Sequence, residues 1–132
     1  MIERTAVTEG SERPMMKTLW AGVVDCVGGE MLAAAIKSTK PNGVVTCCGL
    51  VGSIDLPINV FPFILRGVRL VGIDSAECPM THRTAVWQKL ATEWKLAGLE
   101  SMVDEVTLEG LEEKVQSMLK GGLKRRALVS LD

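Results

Sequence analysis

The feature that most constrains the fold is a pair of short apolar runs with a helical pattern between them. The run AGVVDCV covers residues 21–27 and is closed by Gly28 and Gly29, and the run VVTCCGL covers residues 44–50. Continuous apolar runs of this length are typical of strands buried on both faces, so residues 21–27 are predicted to form a central strand. Residues 30–40 carry apolar side chains at helical spacing. A strand, a helix and a second strand in this order cross over right-handed into a parallel sheet, which predicts an α/β fold.

The alternation of strand and helix continues to the end of the chain. VRLVGID, residues 68–74, predicts a third strand, preceded by an irregular connection with a single helical turn in FPFILRG. After Pro79 the longest helix is predicted, with Val86, Leu90 and Trp94 on its apolar face. The remaining elements are a strand in VDEVTL, a helix in EGLEEKVQSMLKGG and a last strand in KRRALVSLD. A chain of 132 residues is expected to form one compact unit, here with a doubly wound, mainly parallel sheet.

Charge and hydropathy exclude several classes of partner. The 15 Lys and Arg residues are balanced by 16 Asp and Glu residues, so no long-range positive field is present to attract nucleic acid. Apolar stretches are interrupted before the roughly 20 residues that span a bilayer, which argues against a membrane protein. The amino end, MIERTAVTEGSERP, lacks the apolar region of a signal peptide, so the expected location is the cytoplasm.

The cysteines do not form a metal-binding motif. Cys26, Cys47, Cys48 and Cys78 show no CxxC spacing, and His82 is the only histidine in the chain. A structural zinc site is therefore not predicted. Cys47 and Cys48 are neighbours on a predicted strand, where successive side chains point to opposite faces, so burial is favoured over a disulfide between them.

Three predicted strand ends carry residues that suit a ligand-binding edge. In open parallel sheets ligands bind beyond the carboxyl ends of the strands, where glycine turns let a ligand approach the backbone. The segments are CVGG at 26–29, CGLVG at 48–52 and GIDS at 72–75. For each glycine alone, a tight turn is the simpler explanation. Because Gly28, Gly49 and Ser75 are expected on one edge of the sheet, the three segments together favour a site.

Motifs for phosphate binding and nucleophilic catalysis are missing from the sequence. Neither GxGxxG nor GxxxxGK[ST] occurs, so a complete dinucleotide or mononucleotide loop is absent. Catalysis by a serine or cysteine nucleophile would depend on His82, which is expected to be a solvated residue at a helix end. Asp25 and Asp74 lie at strand ends, where a carboxylate commonly accepts backbone hydrogen bonds. The basic run KRR at 124–126 is either a solvated strand entry or a phosphate contact.

Four blocks of the sequence carry a resemblance to a known family. LWAGVVDCVGGEML, GVVTCCGLVG, PFILRGVRLVGIDSAECPMTHRTAVWQKL and RRALVSL resemble, in the same order, the carboxyl-terminal part of the YhdH/YhfP quinone oxidoreductases, a branch that includes acrylyl-CoA reductase. That branch belongs to the zinc-independent side of the medium-chain dehydrogenase/reductase superfamily. Its members begin with a GroES-like catalytic domain, followed by a Rossmann domain and a return strand.

The resemblance implies that residues 1–132 are part of a Rossmann domain. The first βαβ unit, the glycine loop and the GroES-like domain have no counterpart in this sequence, and MIER matches the end of the third Rossmann strand. Residues 123–131 correspond to the return strand that joins the catalytic domain. The cofactor implied is NADPH.

The resemblance also assigns cofactor contacts. The positions that match the family's adenosine side are Val27 and Gly28, those on the nicotinamide side are Cys48, Gly49 and Leu50, and those that offer backbone groups to the carboxamide are Ile73 and Ser75. Arg126 matches a pyrophosphate contact, since a guanidinium suits phosphate oxygens. Arg125 stands where the family has a glycine, which changes the local turn.

Two functional hypotheses follow. In the first, the chain is a fragment of an NADPH-dependent quinone or enoyl oxidoreductase and is inactive alone. In the second, it is a non-catalytic association module that pairs through the edge strand 68–74, either with a second copy or with a separate chain that carries the missing half. Binding of NADPH by the isolated chain discriminates between them.

Overall fold

The computed structural model describes residues 2–131, and these residues form an α/β protein with parallel sheets. The chain divides into two compact units, Met1–Cys78 and Pro79–Asp132, instead of the single unit that its length favours. The α/β class predicted from the sequence is confirmed.

The first unit contains a parallel sheet of three strands. Strands β1 (Trp20–Asp25), β2 (Thr39–Cys47) and β3 (Arg69–Gly72) are ordered β1-β2-β3, so β2 is central. The prediction of a central strand at residues 21–27 is therefore wrong. One face of β1 is uncovered, and Val24 on it is 82% exposed. An apolar run indicates that a segment forms a strand, but it does not indicate whether one or two other strands pair with it.

Helix α2 (Gly29–Lys37) connects β1 to β2 and covers the other face of the sheet. Its sequence, GEMLAAAIK, contains three consecutive alanines, which favour a helix and allow it to approach the strands closely. The core of the unit consists of Leu32, Ile36, Val45 and Val68, all at most 6% exposed. The helix predicted at residues 30–40 is thus confirmed, with an earlier end.

Strand β2 begins five positions before the predicted Val44, and its first residues form a bulge. The register with β1 shifts between Trp20, which pairs with Thr39, and Gly22, which pairs with Val44. Asn42 in the bulge has a positive φ of 61°. Pro41, Asn42 and Gly43 are residue types typical of a helix end, but here they lie within β2 and bend that strand.

Two short helices complete the first unit. Helix α1 (Arg4–Thr8) precedes the loop at the amino end, and α3 (Phe61–Arg66) is the single helical turn predicted before β3. The identification of MIER with a strand end is wrong for the described part of that segment, because residues 2 and 3 are not strand and Arg4 begins α1. Met1 lies outside the described residues.

The second unit follows the predicted order of helix, strand, helix and strand. Its elements are α4 (Met80–Ala91), a 3-10 turn (Leu99–Met102), β4 (Val103–Val106), α5 (Leu111–Leu119) and β5 (Arg126–Val129). Strands β4 and β5 pair in parallel. No residue of α4 is buried, and Trp94 lies beyond its end, so the apolar face predicted for this helix is not covered within its unit. Just before α5, hydrogen bonds from the backbone and from Thr107 lower the pKa of Glu109.

Candidate functional site

The carboxyl ends of the three parallel strands lie in register. Asp25 pairs with Cys47, and Cys47 pairs with Gly72. Beyond these residues, the N–H of Cys48 donates to the Asp25 carbonyl at 2.9 Å, and the N–H of Ile73 donates to the Cys47 carbonyl at 2.8 Å. The segments 26–29, 48–53 and 73–75 therefore leave the sheet from one edge, here called the strand-end rim.

Gly28 and Gly49 allow two segments of the rim to approach each other at backbone distance. Gly28 has a φ of 74° and a ψ of −166°, a conformation open almost only to glycine. A Cβ on Gly28 would lie 2.4 Å from the Ser53 carbonyl oxygen, and one on Gly49 would lie 2.4 Å from the Cys26 carbonyl oxygen. Gly28 and Ser53 also form a parallel β-bridge. Both glycines are thus required by close packing, beyond the making of a turn.

Asp25 holds the first turn of the rim. It is 5% exposed, and its carboxylate accepts a hydrogen bond from the Gly28 N–H at 2.9 Å. The carbonyl of the half-buried Val27 accepts from the Gly52 N–H at 2.7 Å, which ties the first turn to the second. The prediction that the Asp25 carboxylate accepts a backbone hydrogen bond is confirmed.

The third turn is organised in the same way by Asp74. Its carboxylate accepts from the N–H groups of Ala76 and Glu77, each at 3.0 Å, so Ser75 lies in a turn directly after the end of β3. The Asp74 carboxylate thus also accepts backbone hydrogen bonds, as predicted. These hydrogen bonds place Ile73 beside β2 and Ser75 in the turn that follows.

The exposed part of the rim is apolar and offers a carbonyl group. Leu50 is 64% exposed and Ile73 is 48% exposed. Because the Ile73 N–H is bonded to Cys47, the backbone group that Ile73 can offer to a ligand is its carbonyl oxygen. An apolar surface beside a hydrogen-bond acceptor suits a flat ring that bears an amide. The roles assigned by resemblance to the rim residues stay predictions.

Arg125 and Arg126 lie in the second unit, at the start of β5. Arg125 donates to the carboxylate of Asp104 at 3.1 Å, and Lys114 lies 3.6 Å from the same carboxylate. The residue that replaces the family's glycine therefore takes part in an ion pair across the β4–β5 pair. Arg126 is exposed, and its predicted phosphate contact stays a prediction.

Replacing Arg125 by glutamine should have a small effect on stability. The guanidinium is 56% exposed, so the ion pair is expected to contribute less than about 1 kcal/mol to the free energy of unfolding. The difference should disappear at high salt, where screening is nearly complete. Urea denaturation at low and high salt measures it, with Lys124→Gln as the control. A loss that is the same at both salt concentrations would show that Arg125 acts through packing.

Sequence reasoning missed two residues that shape the first unit. Ser53 bridges to Gly28, although nothing in its local sequence marks it. Arg66 donates to the carbonyl groups of Met16, Lys37 and Thr39. Its position in the last turn of a helix before Gly67 is the available signal, because basic residues favour that place.

Within residues 2–131, no group of three or more His, Cys, Asp or Glu residues is placed to hold a metal ion. Over the same span, every helix falls short of the length and apolarity needed to cross a membrane.

This chain is similar to a family of dehydrogenases and to several oxidoreductases. The family model described as zinc-binding dehydrogenase matches residues 9–94. The acrylyl-CoA reductase AcuI of Ruegeria pomeroyi is 37% identical over 132 residues, which is 100% of this chain and 40% of that protein. The crystal structure of Bacillus subtilis YhfP with NAD bound has a TM-score of 0.90 and 39% identity, and the match covers 98% of this chain and 40% of that one. Escherichia coli K-12 YhdH with bound NADPH has a TM-score of 0.81 and 34% identity, covering 91% and 37%.

The matched family model covers most of the chain, and the solved relatives share its fold. This chain spans about 40% of the length of the relatives it matches, and it corresponds to their carboxyl-terminal part. The α/β fold and the resemblance of the four sequence blocks agree with this placement. The chain therefore belongs to the zinc-binding dehydrogenase family, in which it is similar to YhfP, AcuI and YhdH.

Proposed function

We propose that these residues form the nicotinamide-side wall of the NADPH cleft in an oxidoreductase that reduces quinones or carbon-carbon double bonds of the acrylyl-CoA type. The observation that carries the proposal is the in-register strand-end rim, with two glycines that bring its segments to backbone distance. Ligands of open parallel sheets bind at such an edge. Relatives of 34–39% identity crystallised with NAD or NADPH support the choice of cofactor.

The chain's own residues would bind and orient the cofactor. When bound, NADPH supplies the hydride and the protein supplies position and environment. The exposed side chains of Leu50 and Ile73 would pack against the nicotinamide ring, which excludes water from one side of it. The Ile73 carbonyl oxygen would accept a hydrogen bond from the carboxamide nitrogen, which fixes the rotation of the ring.

Turnover would require more than this wall. Hydride transfer needs cofactor and acceptor held at contact distance, and the matched relatives are much longer than these residues. We therefore expect the isolated chain to have little or no reductase activity.

Titration of NADPH into the purified chain tests the proposal. We expect the nicotinamide fluorescence to rise with a Kd in the micromolar range. Leu50→Glu should raise the Kd at least tenfold, about 1.4 kcal/mol, because it places a carboxylate against the ring face. Leu119→Glu is the matched control, since Leu119 is 73% exposed on α5 in the second unit. Unchanged fluorescence in the unmodified chain would contradict an autonomous cofactor site.

A second candidate function is association through the edges of the sheet. Among the described residues, β3 pairs with β2 alone, so one edge of β3 is open to strand addition by a second copy. At the opposite edge, a cavity of about 310 Å³ is lined by residues of β1 and α2, including Trp20, Val24 and Met31. It would suit a separate chain that carries the part of the relatives' length that these residues do not cover. A dimer mass in solution together with no NADPH binding would favour this function.

A further inference from the structure

Two exposed cysteines, Cys26 and Cys48, directly follow the register pair that ends β1 and β2. The register pair Asp25 and Cys47 points toward the core side, where Asp25 is buried and Cys47 packs against the hydrophobic cluster. Side chains alternate along a strand, so the next pair, Cys26 and Cys48, points to the open side. Both of these cysteines are exposed.

Backbone contacts show that the two positions are direct neighbours. The N–H of Cys48 continues the ladder to the Asp25 carbonyl at 2.9 Å. A Cβ on Gly49, the next residue, would lie 3.0 Å from the Cys26 Cα. Adjacent strands lie about 4.8 Å apart, which falls inside the range of about 4.4–6.8 Å between the Cα atoms of a disulfide.

The Cys48 thiol is directed toward β1. Its Sγ donates a weak hydrogen bond to the Asp25 carbonyl oxygen at 3.4 Å, and that carbonyl belongs to the peptide bond that leads into Cys26. The Cys48 sulfur therefore lies close to the backbone that carries Cys26.

We propose that Cys26 and Cys48 form a dithiol that is oxidised reversibly to an intrachain disulfide by a small-molecule disulfide. In the first step one cysteine, as the thiolate, attacks a sulfur of the oxidant, which gives a mixed disulfide and releases one thiol. In the second step the other cysteine loses its proton and attacks the protein sulfur of that mixed disulfide, which releases the second thiol. The two cysteines lose two electrons and two protons, and the oxidant is reduced to two thiols.

The geometry also makes the pairing selective. Cys47 is adjacent to Cys48 in sequence but lies on the core face, so its sulfur points away from the pair. Formation of the pair itself requires no bound cofactor, because it depends on the register of β1 and β2, but Cys48 is also predicted to line the nicotinamide side.

Oxidised glutathione is the probe for the test. The full chain is incubated with it, the remaining thiols are blocked with N-ethylmaleimide, and the intact mass and tryptic peptides are measured. The expected product has lost two hydrogen atoms, carries no glutathione on Cys26 or Cys48, and links the peptide 18–37 to the peptide 38–66. The Cys47→Ser variant should form the same link, which assigns it to Cys48.

Single variants of the pair complete the design. Cys26→Ser and Cys48→Ser should each lose the intrachain link and retain one glutathione on the remaining member of the pair. The proposal is overturned if glutathione stays on both cysteines of the unmodified chain, if the link includes Cys47 or Cys78, if it joins two chains, or if all four thiols remain open to N-ethylmaleimide. The result for the unmodified chain does not depend on whether any of the variants folds.

Discussion

Replacing Gly28 by alanine is expected to lower the free energy of unfolding of the chain by about 2–6 kcal/mol. Two effects combine at this position. The φ of 74° with a ψ of −166° costs about 1–3 kcal/mol for any residue with a Cβ. The new methyl group would also lie 2.4 Å from the Ser53 carbonyl oxygen, and such overpacking against backbone costs about 1–3 kcal/mol.

Three other glycines separate these two effects. Gly10 has a φ of +77° but its nearest atom is 4.0 Å from a Cβ, so Gly10→Ala should cost about 1–2 kcal/mol from conformation alone. At Gly49 the clash with Cys26 occurs without a positive φ, so Gly49→Ala should cost about 1–3 kcal/mol. A Cβ on Gly72 meets nothing within 4 Å, which makes Gly72→Ala the neutral control.

Urea denaturation followed by circular dichroism measures the series. The expected order of destabilisation is Gly28 first, Gly49 and Gly10 next, and Gly72 last. If Gly28→Ala were as stable as Gly72→Ala, the close approach between the first and second turns of the strand-end rim would be absent in solution, and the arrangement proposed for the cofactor wall would fail with it.

The sequence predicts the strand-end rim because glycine carries a conformational signal that is independent of the rest of the fold. The run at 21–27 followed by Gly28 predicts a strand and a turn, and both are present. The position of that strand at the edge of the sheet could not be predicted, because burial on a second face depends on neighbours that the run itself does not encode. The early start of β2 at Thr39 could not be predicted either. Pro41 and Asn42 are typical of a helix end, and their local sequence does not indicate a bulge in a strand.

The sequence indicates which residues form the strand-end rim better than it indicates the atoms to which their side chains and backbones are hydrogen-bonded. The sequence predicts that the Asp25 carboxylate accepts a backbone hydrogen bond, and its donor is the N–H of Gly28, three residues away. Local sequence patterns cover contacts at that separation. Ser53 and Arg66 act on backbone atoms that are far away in sequence. The Arg66 acceptors Lys37 and Met16 lie 29 and 50 positions distant. Any residue type can provide a carbonyl oxygen, so sequence patterns contain no signal for such contacts.

Arg66 should therefore be the polar side chain of the first unit with the largest effect on its stability. Its guanidinium donates to the carbonyl oxygens of Lys37 and Met16, both at 2.8 Å. The Lys37 carbonyl lies in the last turn of α2, where no N–H group of the same helix is available to donate to it. Arg66→Met keeps the length and apolar stem of the side chain but leaves these carbonyls without their charged donor, at a cost of about 3 kcal/mol.

A lysine at this position should recover only part of the loss, because one ammonium group cannot reach acceptors that the planar guanidinium spans with two nitrogens. We expect Arg66→Lys to lie between Arg66→Met and the unmodified chain in urea denaturation. Arg69→Met is the matched control, since Arg69 is exposed on β3, and it should change the free energy of unfolding by less than about 0.5 kcal/mol. Equal losses for Arg66→Met and Arg69→Met would mean that the loop at Met16, the end of α2 and α3 hold together by apolar packing, without the guanidinium.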